Sequence, residues 1–140
     1  MHDVSPITVR VTVTGDPSRA WHVFTDPHSI TQWNFASPDW SCPTAVNDLR
    51  VGGQFRYHMA AKDGSVGFDF SGRYIEIAPF ERIKYSLEDG REVSIEFIRV
   101  TGGTEVVETF APDANASRDL QQAGWQAILE NFKAKVERGQ

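Results

Sequence analysis

The stretch Gln54-Phe55-Arg56-Tyr57-His58-Met59-Ala60-Ala61-Lys62-Asp63-Gly64-Ser65-Val66-Gly67-Phe68-Asp69-Phe70-Ser71-Gly72-Arg73-Tyr74 decides the fold. Phe55, Tyr57 and Met59 alternate with Gln54, Arg56 and His58. Lys62-Asp63-Gly64-Ser65 carries turn residues, and Phe68, Phe70, Gly72 and Tyr74 resume the apolar face beyond it. Period two on both sides of a turn predicts an antiparallel hairpin with one buried face. The phase then slips to Ile75 and Ile77, which predicts a β-bulge between Gly72 and Ile75.

The same signal continues toward the C-terminus. Ile83, Tyr85 and Leu87 alternate up to a turn at Glu88-Asp89-Gly90, followed by Val93, Ile95 and Phe97. Gly102-Gly103 turns the chain into Val106, Glu108 and Phe110. Periodicity then changes to that of a helix: Trp125, Ile128, Leu129, Phe132 and Val136 fall at i, i+3, i+4, i+7 and i+11. Ser117 is the expected N-cap and Asp119 suits the first turn. Lys133, Lys135 and Arg138 suit the C-terminal end of the dipole, and Gly139 the stop.

Toward the N-terminus, residues 34–44 hold two prolines, Phe35 and Trp40, with no clear period, and are expected to form an ordered loop. Asp16-Pro17 and Asp26-Pro27 repeat one helix-start signal, Asp as N-cap and Pro at the first helical position. They predict short helices over residues 17–25 and 27–33. Ala20, Trp21 and Phe24 share one face of the first, Ile30 and Trp33 one face of the second. Ile7, Val9, Val11 and Val13 alternate with polar residues in a β-branched first strand that Gly15 ends.

The expected architecture is α+β: an antiparallel sheet of six or seven strands, two short helices after the first strand, and a long C-terminal helix. Seven strands span roughly 34 Å, whereas one helix with its side chains is about 10–12 Å across. The sheet must therefore curl around the helix, and the short helices must close one end. Such a grip tends to leave an apolar hollow.

Composition excludes several classes. The chain has 140 residues, a formal charge of −5, one Cys, and nine Phe, four Trp and three Tyr. A single domain over residues 1–140 is expected, long enough to bury a core without disulfide or metal. The longest apolar runs, residues 59–61 and 127–129, are far short of the roughly 20 residues that span a bilayer. Residues 1–6 lack the basic and apolar segments of a signal peptide. Lys and Arg are scattered, which argues against nucleic acid. The expectation is a cytoplasmic protein without metal, cofactor or membrane insertion.

These elements, with particular motifs, resemble the START-like helix-grip superfamily, also called SRPBCC. Within it the chain is similar to bacterial proteins related to the C-terminal domain of the activator of the 90-kDa heat-shock chaperone ATPase. Ala20-Trp21, Asp26-Pro27 and Trp33-Asn34-Phe35-Ala36-Ser37-Pro38-Asp39-Trp40 carry the likeness, with Asn47-Asp48-Leu49-Arg50-Val51-Gly52-Gly53. Gly67-Phe68-Asp69-Phe70-Ser71-Gly72 and Gly124-Trp125-Gln126-Ala127-Ile128-Leu129-Glu130-Asn131-Phe132 complete it. The resemblance implies a small hydrophobic ligand, lipid- or polyketide-like, between the long helix and the curved sheet. It also implies two alternatives, a chaperone-interacting module and an enzyme of the cyclase or hydratase type. The eukaryotic co-chaperone adds an N-terminal domain for which 140 residues leave no room, so the pocket is the first expectation.

Phe55, Tyr57, Phe68, Phe70, Tyr74, Tyr85, Phe97 and Trp125, with Met59 and Leu129, are the candidate pocket lining; the alternative is that these rings simply fill the core. Trp33, Phe35 and Trp40 form either a gate over the pocket mouth or a fixed plug. Glu108 sits on the inward parity of its strand and is a candidate polar anchor, together with a Tyr57 or Tyr85 hydroxyl. Alternatively its strand ends the sheet, and Glu108 is solvated or paired with an Arg. No catalytic residue is assigned. His58 is expected on the outer face, Asp69 in an outer ion pair with Arg56 or Arg73, and Cys42 as a buried inert thiol. His22 and His28 have no third metal ligand nearby, and Asp48 and Arg50 with Gly52-Gly53 are expected to shape a turn.

Overall fold

A computed structural model describes residues 4–138. Met1 to Asp3 and the helix stop expected at Gly139 lie outside them. Strand β1 (Ile7–Thr14) buries Ile7, Val9, Val11 and Val13 and exposes the residues between, as its alternation dictates. Helix α1 (Pro17–Thr25) starts where the Asp16 carboxylate accepts a hydrogen bond from the Arg19 amide at 3.2 Å. Asp26 ends α1 by donating its amide to the His22 carbonyl at 2.9 Å, and its side chain caps the next helix from the Ser29 amide at 3.0 Å. That helix, α2 (Pro27–Ile30), is shorter than expected. Beyond Ile30 the chain continues in turns, because the buried Trp33 ring donates its indole N–H back to the Val23 carbonyl at 3.0 Å.

One expectation is corrected here. Residues 40–44 are not loop but the first half of β2 (Trp40–Asn47). Pro43 donates no amide, and the pairing register slips between Ser41 and Thr44, so alternation is broken in the sequence although the strand exists. The remaining strands follow as a meander: β3 (Gln54–Ala61), β4 (Gly67–Ala78), β5 (Arg82–Leu87), β6 (Glu92–Val100) and β7 (Gly103–Phe110). The bulge falls where the phase slip placed it, between Tyr74 and Glu76.

All seven strands form one antiparallel sheet in the order β1-β7-β6-β5-β4-β3-β2. The first two strands of the chain are thus the two edges, and α1 and α2 carry the backbone from one to the other. This is the helix-grip arrangement. It also means that β7 lies inside the sheet, between β1 and β6, not at its end.

Helix α3 (Arg118–Arg138) begins after Ser117, whose hydroxyl accepts from the Leu120 amide at 3.3 Å. Leu129, Phe132 and Val136 are fully buried. The helix runs along β1, with α1 packed beside it and against β6 and β7. Phe132 meets Phe24 and Trp33 edge to face at 5.3 and 5.2 Å, so the C-terminal half of α3 closes one end of the molecule. Polar side chains of α3 also cover the open edge of β1. Gln126 and Lys133 donate to the Arg10 and Thr12 carbonyls at 3.0 and 2.9 Å, and Glu137 accepts from the Thr14 amide at 3.3 Å.

Candidate ligand-binding cavity

Because α1 and α3 gather over β1, β6 and β7 and α2 sits at β2, the concave face of β3 to β5 is left with little to bury against. A cavity of about 280 Å³ occupies that space. Its floor is built by strand alternation: Tyr57 and Met59 from β3, Phe68, Phe70 and Tyr74 from β4, Ile83 and Tyr85 from β5, and Glu108 from β7. Gln121, Trp125 and Ile128 from the N-terminal half of α3 form the roof. Phe24, Trp33 and Asn34 close the inner end, and Arg91, Asp113 and Ala116 rim the mouth.

The aromatic framework is rigid. Phe55 lies beneath the cavity, with ring centroids 4.7 Å from Tyr85 and 4.9 Å from Tyr57. It pairs across the strands with Gly72, and a Cβ at Gly72 would stand 2.9 Å from its ring, so only glycine lets the ring lie flat on β4. Trp125 stacks on Phe110 at 3.9 Å and meets Phe70 edge-on at 6.0 Å, which fixes the roof to the floor on both sides. The Tyr74 hydroxyl donates to Asn47 Oδ1 at 2.5 Å, and Asn47 Nδ2 donates to the Thr25 carbonyl at 2.7 Å. Burial pushes the Tyr74 phenol up to about 12 and raises those of Tyr57 and Tyr85 as well.

Glu108 overturns the expectation of a solvated or paired carboxylate. It sits in an interior strand, opposite Val9 on one side and Ile95 on the other, and is 6 % exposed. Burial alone acts on its carboxyl, with no hydrogen bond or ion pair from the described residues. Burial pushes its pKa up to about 8, and its charge lies close enough to raise the Tyr85 phenol further. At neutral pH the group is mainly a carboxylic acid, able to donate one hydrogen bond and accept others.

Five residues expected to line a pocket lie elsewhere, for definable reasons. Phe55 is sealed under the ring cage. Phe97 packs on Trp21 and Phe24, at 5.3 and 5.6 Å, in the closed end of the core. Leu129 is fully buried between helix and sheet. Phe35 packs on the outside of the core, its carbonyl held by Asn131 Nδ2 at 2.6 Å. Trp40 stands on the edge strand, meeting Phe68 edge to face at 5.9 Å. Within residues 33–40, Trp33 thus stands as an inner wall and Phe35 is tied to α3.

Phe24, Ile83 and Ile128 line the cavity without having been singled out, though each lies on an apolar face legible in the sequence. The mouth carries no such signal, because Arg91 and Asp113 come from two separate loops that only the fold brings to the end of α3. Arg91 Nε donates to Asp89 at 2.7 Å and its Nη1 to the Ala111 carbonyl at 3.3 Å. Gln121 exchanges hydrogen bonds with the Asp113 backbone, at 2.7 Å from the amide and 2.9 Å to the carbonyl.

The other sequence candidates lie away from this space. Asp69 pairs with His58 at 2.8 Å on the outer face, not with Arg56 or Arg73. Cys42 is buried, which raises its thiol pKa. Asp48 and Arg50 pair at 2.9 Å beside Gly52, whose φ of +85° makes the turn. Among the described residues no group of three His, Cys, Asp or Glu is arranged to hold a metal, and no helix is long and apolar enough to cross a membrane.

The family model described as Activator of Hsp90 ATPase homolog 1-like protein matches residues 15–137. The chain belongs to that family. Solved structures agree with it. An AHSA1-like protein from Aeromonas hydrophila is 42% identical, with a TM-score of 0.90 over 96% of this chain and 93% of its own. A protein from Cytophaga hutchinsonii is 45% identical, with a TM-score of 0.82 over 95% and 92%. A protein from Chromobacterium violaceum, 24% identical, shares the fold with a TM-score of 0.86 over 94% and 97%. No curated protein sequence matches. The AHSA1-like family thus accounts for the helix-grip frame.

Proposed function

We propose that this protein binds a small hydrophobic or aromatic molecule, lipid- or polyketide-like in character, in the cavity between α3 and the sheet. One observation carries the reading: the helix covers only one side of a curled sheet, and the uncovered side holds an apolar space of about 280 Å³ under Trp125. The volume lies just below the usual range of about 300–1,000 Å³ for small-molecule sites, and the lining has their usual form, apolar walls with a few polar groups. Trp33, Tyr57, Met59, Phe68, Phe70, Tyr74, Tyr85, Glu108 and Trp125 are the ligand-contacting residues in this proposal.

A buried carboxyl with no base paired to it gives binding precedence over a cyclase- or hydratase-type reaction. The family description favours a second reading, contact with an Hsp90-type chaperone, and a cytoplasmic location suits both. The test of the first is a thermal-shift screen with lipids and aromatic compounds, followed by native mass spectrometry of the purified protein. A bound ligand raises stability by mass action, by about 2.7 kcal/mol at a hundredfold excess over Kd. No shift from any compound, with chaperone captured specifically by the same protein, would replace the first reading by the second.

A further inference from the structure

Resting on that reading, one polar feature narrows the ligand's chemistry. Glu108 is the buried acid of the cavity, and among the described residues no hydrogen bond acts on its carboxyl or on the Tyr85 hydroxyl. Both side chains are buried and face the same space, and each leaves hydrogen-bonding capacity unused toward it. The cation in the lining, Arg91, is at the mouth and already committed to Asp89 and the Ala111 carbonyl. Among the described residues no cation lies at the inner end, where Phe24 and Trp33 are apolar and Asn34 is a neutral amide.

We infer that the ligand is an uncharged hydroxyl compound, an alcohol or phenol on an apolar body, whose hydroxyl is held by Glu108 with Tyr85 beside it. A hydroxyl suits the pair because it can accept from one group while donating to the other. A ligand carboxylate would enter unpaired and desolvated, which is costly. A plain hydrocarbon would leave the Glu108 carboxyl unsatisfied.

Chemical-shift titration of the wild type, Glu108→Gln and Glu108→Met with naphthalene, 2-naphthol and 2-naphthoate tests this. The first two proteins should bind 2-naphthol about tenfold more tightly than naphthalene, since a buried polar group is left unpaired only in the hydrocarbon complex. Glu108→Met should lose that preference while still binding naphthalene. Its melting curve shows whether it folds, and replacing an unpaired buried acid with an apolar group should not lower its Tm. An unchanged preference in Glu108→Met, or 2-naphthoate as the tightest probe, overturns the inference and leaves the cavity reading standing. Wild-type resonances that no probe shifts overturn both.

Discussion

Trp125 lies flat on Phe110, with ring centroids 3.9 Å apart and planes inclined by only 13°. The stack joins the roof of the cavity to an interior strand, so Trp125 is a structural beam as well as part of the cavity wall. Trp125→Leu should cost about 2 kcal/mol, less than a fully buried ring because part of its surface already faces the cavity. Leu129→Ala, one turn further along, should cost about 3 kcal/mol and leave probe affinity nearly unchanged. Urea unfolding and probe titration of the two variants separate beam from surface. Equal losses of affinity in both would remove Trp125 from the binding wall.

Glu108 gives stability a dependence on pH opposite to that of ordinary paired carboxylates. Its folded pKa, about 8, lies above the usual carboxylate value of 4.5, so the folded protein holds a proton that the unfolded chain has released. This contribution is fully present below pH 4.5 and is lost as pH rises toward 8. The slope is about 1 kcal/mol per pH unit. Glu108→Gln should flatten that slope, and above pH 8 it should melt higher than the wild type. Calorimetric scans from pH 5 to 9 check it, and parallel curves for the two proteins would show that Glu108 is ionised in the fold.

Gly72 and Phe55 form one packing unit across β4 and β3. A methyl group at position 72 would sit 2.7 Å from the Ser86 carbonyl and 2.9 Å from the Phe55 ring. Gly72→Ala should cost 1–3 kcal/mol through displacement of that ring. In a Phe55→Leu background the penalty should shrink, since half of the clash is gone. A double-mutant cycle by thermal unfolding measures the coupling, and strict additivity would place the strain in the Ser86 backbone alone.

Asp26 serves two helices at once, ending α1 with its amide and starting α2 with its carboxylate. The Ser29 amide bound to that carboxylate holds its pKa below the usual value. Its stabilising share is therefore present at neutral pH and fades as pH falls through the lowered value. Asp26→Ala should cost about 1 kcal/mol at pH 7, and Asp26→Asn, which keeps an acceptor, only a few tenths. The test is chemical denaturation at pH 7 and pH 3, where the gap between wild type and Asp26→Asn should close.

Most of the frame was legible because it rests on short-range signals. Alternation around Phe55 and Phe68, paired Asp-Pro caps and the helical stripe from Trp125 to Val136 each survive into the structure. β2 escaped notice because an edge strand with Pro43 and a bulge does not need alternation. Topology decided the fate of Glu108. Its inward parity was plain in the sequence, but β1 returning to pair outside β7 is a long-range event that local pattern does not encode. The cavity mouth was illegible for a related reason, since Arg91 and Asp113 meet only after two separate loops have closed.

The cover of α3 over the β1 edge constrains how a ligand reaches the cavity. Gln126, Lys133 and Glu137 satisfy backbone groups that would otherwise template a strand from another molecule. Lifting the helix to admit a guest would bare that edge and invite polymerisation. The cheaper movement is at the opposite end, where one arginine and one glutamine hold the segment around Asp113 by a handful of hydrogen bonds. Entry past the segment beside Arg91 would leave the long helix in place and the β1 edge covered.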